Sequence, residues 1–156
     1  MERLEIIDTL KDLPRLLQEE LAGVSEAVIR NKPSETEWSI REVMGHLSFA
    51  EDIWHKRLYQ VWSLTDPMLV TFAGEDEALA AARDATSIDP YLEHIKANRP
   101  KTIDLLVHAV DWSRLGNWRG TGRRTLKQLA EALVEHDLDH LQQIRNLKAS
   151  AATAVR

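Results

Sequence analysis

The chain has 156 residues, 44% hydrophobic and 29% charged, so it can bury one core in one domain and lacks the composition of a disordered protein. Its net charge of −5 argues against non-specific nucleic-acid binding, which needs a basic surface. The absence of cysteine excludes disulfides, thiolate metal ligands and a cysteine nucleophile, so any thiol chemistry needs a thiol from the substrate.

The first of four predicted long helices spans about residues 4–22, where leucines recur at helical spacing. Pro14 lies inside this pattern and should kink the helix or start a second segment. Residues 25–36 are expected to form a connector that contains a short helical piece. The first part of the chain is therefore predicted to be helical throughout.

The second long helix has a clear start, because Ser39 and Glu42 form a capping box in which each side chain satisfies a backbone N–H. It should run to about Leu64. The long connection that follows, residues 65–87, has an alanine-rich piece over 77–82 that we predict to be helical. A connection of this length can carry the chain along a whole bundle, so the second and third long helices are predicted to run parallel.

The third long helix should begin at Asp89 and Pro90, since aspartate is a good N-cap and proline fits the first helical position. Pro100 should bend this helix. Its buried side is predicted from its apolar residues, which are Ile95, Ile103, Leu106, Val107 and Val110.

A polar loop over residues 111–124 is predicted before the last helix, and its Trp112 and Trp118 could line a pocket or a subunit contact. The last helix should start at a second capping box, formed by Thr125 and Gln128.

The pattern as a whole predicts an all-α fold, a four-helix bundle with a long connection between the second and third long helices. The last helix should end near Leu147, and the small residues of 149–156 are expected to form a frayed tail. The predicted organisation is a single domain over residues 1–148.

Three histidines are predicted to face the bundle interior. His46 lies inside the apolar arc of the second long helix; on the last helix His140 lies inside the arc, and His136 lies at its edge, one turn away on the same face. Their imidazoles could hold one divalent metal ion at about 2.0–2.1 Å, and three protein ligands leave a position open, as in catalytic sites. The alternative is that they are hydrogen-bonded core residues without a metal.

Two carboxylates could support these histidines. Asp137 projects into the apolar arc of the last helix, where a buried carboxylate needs a partner. It could orient a histidine, act as a fourth ligand or serve as a base. We favour a structural ion pair, with Arg57 as the expected partner. Glu51 lies at the edge of its own arc and has the same alternatives.

The segment 136–140 has the histidine spacing of zinc proteases, with Asp137 in the glutamate position, but the missing downstream ligand and the all-helical pattern argue against a protease. Among the remaining histidines, His55 falls on the outer face of the second long helix, where solvent exposure explains it. His94 and His108 lack a second ligand at suitable spacing and are interpreted as ordinary residues.

Three segments resemble the DinB superfamily. They are EWSIREV at 37–43 with GHL at 45–47, EHDLDHL at 135–141, and the loop DWSR at 111–114 with the following Gly116. The resemblance implies an up-down-down-up four-helix bundle. It also implies a metal triad of one histidine on the second long helix and two on the last, matching His46, His136 and His140. Members of the family are often dimers that carry zinc, nickel or another divalent ion.

Together these features predict a divalent-metal-dependent enzyme, a thiol-dependent S-transferase or hydrolase that acts on a small molecule. The resemblance supports this, because some relatives use low-molecular-weight thiols such as bacillithiol or mycothiol. The sequence offers no dedicated nucleophile or convincing general base, so the alternative is a non-catalytic metal- or ligand-binding stress-response protein. A third hypothesis is a metal-free helical interaction module.

The expected partners are a small-molecule substrate, such as a low-molecular-weight thiol, and a second copy of the chain, without nucleic acid or membrane. No apolar run approaches the roughly 18–20 residues of a membrane span, and residues 1–5 have no signal-peptide core. A cytoplasmic protein is therefore expected.

Overall fold

The computed structural model describes residues 1–154, and most of them are helical. In chain order the helices are α1 (Arg3–Leu21), α2 (Glu26–Arg30), α3 (Ile40–Ser63), α4 (Glu75–Asp84), α5 (Asp89–His108) and α6 (Leu126–Ala154). A two-stranded hairpin, β1 (Leu115–Trp118) and β2 (Gly122–Thr125), separates α5 from α6. None of the helices in the described part of the chain is both long and apolar enough to span a membrane.

Helix α1 continues through Pro14 as one helix instead of starting a second segment. Proline has no N–H, so it cannot bond the carbonyl four residues earlier, which belongs to Leu10. That carbonyl accepts a hydrogen bond from the Arg99 Nη1 atom at 3.0 Å. A buried arginine of α5 thus satisfies the acceptor that the proline leaves free.

Both predicted capping boxes are confirmed. The Ser39 Oγ accepts a hydrogen bond from the Glu42 N–H, and the Ser39 N–H donates to Glu42 Oε1, both at 3.2 Å. At the start of α6, the Thr125 N–H donates to Gln128 Oε1 at 2.9 Å and the Gln128 N–H donates to Thr125 Oγ1 at 3.0 Å. The two helices that carry the three histidines therefore begin at fixed positions.

The long connection after α3 contains helix α4, as predicted, and this helix lies very close to α3. Gly45 makes the close approach possible, because a methyl group at that position would overlap the Ala82 Cβ. The packing places Glu75, the first residue of α4, beside the turn of α3 that carries His46.

Two parts of the structure differ from the predictions for α5 and the following loop. Val107 and Val110, expected on the buried side, are 59% and 89% exposed, whereas Leu105 is buried. The residues 111–124, expected to be a loop, contain the β1–β2 hairpin, with Leu115 opposite Thr125. Short strands of four residues, one of them with two arginines, carry too little apolar alternation to be recognised.

Helix α6 is longer than predicted. It continues beyond Leu147 to Ala154, and Ala151 is buried. Residues 155–156 of the expected tail lie outside the described residues.

The core is divided into two clusters by a buried polar layer. Helix α3 packs against α4, α5 and α6, and α1 packs against α5 and α6. Helices α1 and α6 begin in one cluster and pass into the other, whereas α3 and α5 pass through the clusters in the opposite order. Between the clusters lie the buried residues Glu51, Arg99, Thr102 and Asp137. His136 directly precedes Asp137 of this layer, and the rings of His46 and His140 lie against the ring of His136.

Candidate metal centre

The structure brings His46, His136 and His140 together. One potential ligand atom from each lies within 4.8 Å of the others. The Nε2 atoms of His46 and His136 are 2.9 Å apart, and the ring of His140 lies 4.5 Å and 4.6 Å from the His46 and His136 ring centres. His46 is 5% exposed, and the two histidines of α6 are partly buried.

Each of the three rings has an acceptor at its Nδ1 atom. His46 Nδ1 lies 2.6 Å from Glu75 Oε1, His140 Nδ1 lies 2.8 Å from Gln143 Oε1, and His136 Nδ1 lies 3.4 Å from Asp137 Oδ1. An acceptor at Nδ1 favours the tautomer with the proton on that nitrogen, which leaves the Nε2 lone pair available. The hydrogen-bond pattern therefore leaves the Nε2 atom of each ring free to bind a metal ion.

This donor set fits a divalent ion. With both Nδ1 atoms protonated, the Nε2 lone pairs of His46 and His136 would face each other at 2.9 Å, and a bound cation would relieve their repulsion. Three imidazoles suit zinc or nickel, and carboxylate contacts at the outer nitrogens are the usual support of metal-bound histidines.

Burial keeps His46 and His140 neutral. Burial, together with the smaller effects of His140 and His136, lowers the pKa of His46 to about 3. Burial and then His136 also lower the pKa of His140, against smaller opposing effects of Gln143 and nearby carboxylates. At neutral pH both rings are in the form that can bind a metal ion.

Arg99 organises the buried polar layer beside the histidines. Its Nε and Nη2 atoms donate to Glu51 at 3.0 Å and 2.7 Å, and its Nη1 atom donates to Asp137 Oδ2 at 2.6 Å. Burial would raise the pKa of Asp137, but the charge of Arg99 and the contact with His136 lower it. Asp137 therefore connects the ion-pair network to a histidine of the triad.

The expected ion pair of Asp137 exists, but its predicted partner was wrong. Arg57 turns toward aromatic rings, and the partner is Arg99 on α5. The sequence did not indicate Arg99 as this partner, because the buried side of α5 was predicted from apolar residues alone. The sequence left several roles open for Glu51. In the structure Glu51 forms a buried ion pair with the same arginine.

Glu75 and Gln143 are further residues that the sequence analysis missed. Gln143 could have been found from its position three residues after His140, on the same helical face. Glu75 follows Gly74 in a cluster of acidic residues at the start of α4 and gave no signal of its own, since its contact spans two helices.

Aromatic side chains surround the histidines. Trp38 stacks on His140, with ring centres 6.2 Å apart, and Phe72 stacks on His46 at 6.0 Å. The ring of Trp54 lies 5.7 Å from that of His136. An open cavity of about 550 Å³ adjoins His140 and Trp38, so a small molecule can approach the triad from that side.

The other histidines form separate contacts. His94 Nε2 lies 3.0 Å from Asp52 Oδ1, and His55 Nδ1 lies 3.0 Å from Thr102 Oγ1. His108 is exposed at the end of α5. None of these three residues belongs to the histidine cluster that could hold a metal ion. His55, which was expected to be exposed to solvent, is partly buried against Thr102.

Comparisons with known proteins agree with this architecture. The family model of the DinB superfamily matches residues 9–144. Among functionally curated proteins, none matches the sequence significantly. The solved structure of YfiT from Bacillus subtilis, described as a probable metal-dependent hydrolase with an unusual four-helix bundle topology, superposes with a TM-score of 0.87. The two chains are 16% identical, and the match covers 95% of this chain and 86% of YfiT, which establishes a shared fold.

Proposed function

This chain belongs to the DinB superfamily, and we propose that it is a divalent-metal-dependent enzyme, a thiol-dependent S-transferase or hydrolase, that acts on a small molecule. The observation that carries the proposal is the convergence of three histidines whose Nδ1 atoms all face acceptors. The description of YfiT as a probable metal-dependent hydrolase supports the same class of chemistry.

His46, His136 and His140 would hold one ion, zinc or nickel, through Nε2. When bound, the ion supplies a Lewis acid that lowers the pKa of a coordinating thiol or water. Glu75 and Asp137 fix two of the rings by accepting hydrogen bonds from Nδ1–H.

Glu51 has an indirect role in this proposal. It shares Arg99 with Asp137, so it helps to set the position of the carboxylate that faces His136. Both acids then act as positioning residues, and neither is a metal ligand or the catalytic base.

The four long helices α1, α3, α5 and α6 follow an up-down-down-up order in this proposal. Two observations support it: the order in which each helix meets the two core clusters, and the contacts of Asp52 with His94 and of His55 with Thr102, in which later residues of α3 meet later residues of α5. A homodimer, a cytoplasmic location, a role in stress response and the absence of nucleic-acid and membrane partners stay predictions.

Elemental analysis by mass spectrometry tests the metal site. Untagged protein, purified without chelator, is compared with a His136→Ala/His140→Ala variant and with His94→Ala, a matched control that removes a histidine outside the triad. We expect about one divalent ion per chain in the parent and in the control, and loss of the ion in the double variant. Absence of metal in the parent, even after zinc or nickel is added back, would refute the proposal.

Catalysis is tested on the metal-loaded protein. We expect consumption of small electrophiles with low-molecular-weight thiols, or hydrolysis of small esters or amides, at rates abolished in the double variant. Metal binding without any turnover would favour the alternative function, a non-catalytic metal- or ligand-binding protein. A stability that a chelator leaves unchanged, together with no metal uptake, would favour the metal-free interaction module.

A further inference from the structure

Arg57 of α3 is a buried cation without an anionic partner among residues 1–154. It is 4% exposed, and its only hydrogen bond to residues 1–154 runs from Nε to the Val70 carbonyl at 2.9 Å. Its guanidinium carbon lies 5.0 Å, 4.8 Å and 4.9 Å from the ring centres of Trp54, Phe72 and Trp118. By contrast, the equally buried Arg99 has two carboxylates.

Burial of a charge without a counter-ion is unfavourable, and cation–π contacts offset only part of the cost. Burial lowers the pKa of Arg57, and no carboxylate of the described residues counteracts this effect. The two Nη groups are therefore available to an anion from outside the chain.

Trp54, whose ring packs against the Arg57 guanidinium, provides a second unsatisfied donor. Its indole Nε1 is one of two buried side-chain polar atoms without a hydrogen-bond partner in the described part of the chain. Trp54 is itself 4% exposed. A buried N–H without an acceptor costs free energy, so its presence next to an unpaired arginine indicates a missing acceptor.

Both donors lie beside the histidines. The ring of Trp54 packs against Arg57 on one side and lies 5.7 Å from the His136 ring. Phe72 likewise packs against Arg57 and lies 6.0 Å from the His46 ring. A single aromatic ring therefore separates the unpaired cation from the triad.

We propose that Arg57 and the Trp54 indole N–H bind a carboxylate of the small molecule whose reacting group meets the three histidines. This inference rests on the proposed function and narrows the substrate to a carboxylate-bearing compound. The free Nη pair matches the two oxygens of a carboxylate. One cation balances one negative charge, so a carboxylate suits the site better than a dianionic phosphate.

The first test compares mercaptopropionate with mercaptopropanol, which differ in the carboxylate. Binding to the zinc-loaded protein is measured by calorimetry for wild type, Arg57→Met, Trp54→Phe and Arg114→Met. Arg114 is a matched control, because this partly buried arginine donates to the backbone carbonyls of Val61 and Leu64.

We expect wild type and Arg114→Met to prefer the carboxylate by at least about tenfold, the value of one charge-assisted hydrogen bond. Arg57→Met should lower this preference by about tenfold, and Trp54→Phe should lower it by less. Any direct effect of the carboxylate on the zinc ion is common to all variants, so it cancels when the preference of a variant is compared with that of wild type. Equal preference in wild type and a folded Arg57→Met would overturn the proposal.

A second measurement separates this proposal from the proposed function. The indole N–H resonances of the protein are recorded by NMR during titration with propionate, which lacks a thiol, and the Trp54 signal is identified by its loss in Trp54→Phe. A saturable downfield shift of that signal, absent in Arg57→Met, would support the carboxylate site even if neither thiol binds. No shift, or the same shift in Arg57→Met, would refute it whether or not thiols bind.

Discussion

Replacing Arg99 by methionine should destabilise the protein by about 3–5 kcal/mol at neutral pH, because it leaves buried charges without their partner. The structure supports the full magnitude. Arg99 is 3% exposed, so solvent does not screen its contacts, and it serves two carboxylates, Glu51 and Asp137. The variant also removes the donor to the Leu10 carbonyl, which Pro14 leaves without its helical partner.

A loss of this size would be a large fraction of the about 5–15 kcal/mol that stabilises a typical domain. The measurement is urea denaturation in the presence of a chelator, so that metal binding does not contribute. The compensating variant combines Arg99→Met with Glu51→Leu and Asp137→Leu. Since replacing a whole buried ion network by apolar residues is often neutral or stabilising, the triple variant should regain at least about 2 kcal/mol over the single variant.

The pH dependence gives an independent check. In Arg99→Met the carboxylate of Asp137 loses its cation, so burial should raise the pKa of Asp137 above that of the unfolded chain. The destabilisation is then largest above this raised pKa and shrinks as the pH falls toward the unfolded pKa. A loss below about 1 kcal/mol at neutral pH, or no recovery in the triple variant, would refute the assignment of Arg99 as the centre of the network.

Three further results are expected. Gly45→Ala should lose about 1–3 kcal/mol by overpacking α4 against α3, and adding Ala82→Gly should restore stability in thermal or urea denaturation; no loss would contradict the close approach. Glu75→Gln should weaken zinc affinity about 10–100-fold in a chelator competition, whereas the exposed neighbour change Asp76→Asn should not. For Glu42, burial raises the pKa, but hydrogen bonds from Ser39 and the ion pair with Arg83 lower it overall. Ionised Glu42 therefore stabilises the folded protein above the unfolded pKa, and this contribution is lost as the pH falls through the folded pKa. Glu42→Gln should therefore lose that part of the acid dependence in urea titrations at several pH values, and an unchanged profile would contradict the folded-state contacts.

The sequence was sufficient to predict features that depend on residues of a single helix. The caps at Ser39 and Thr125 involve residues three apart, so the helix starts could be predicted from local hydrogen bonding. The inward direction of His46, His136 and His140 follows from helical periodicity on α3 and α6, and the resemblance to the DinB superfamily is confirmed. The convergence of the three side chains could be predicted because it requires only that two helices, α3 and α6, pack together.

Prediction failed where a contact joins residues whose relation depends on tertiary packing. Arg99 and Glu75 belong to α5 and α4, and no periodicity indicates that they meet Asp137 and His46. Periodicity was misleading for Val110, which lies just past the end of α5 and is exposed although it continues the apolar pattern of that helix. The sequence also gave no sign that Arg57 turns away from the acids of the core.

Stability alone does not explain why this bundle places charges in the middle of its core. Apolar residues at positions 51, 99 and 137 could fill the same layer at equal or greater stability. Asp137, however, uses one oxygen for Arg99 and turns the other toward His136, and no apolar residue could do both. The network therefore fixes a carboxylate at the outer nitrogen of a histidine from a rigid, buried position. Its location at the level of the triad is what a site with precisely held ligands requires, and this favours a functional origin for the layer.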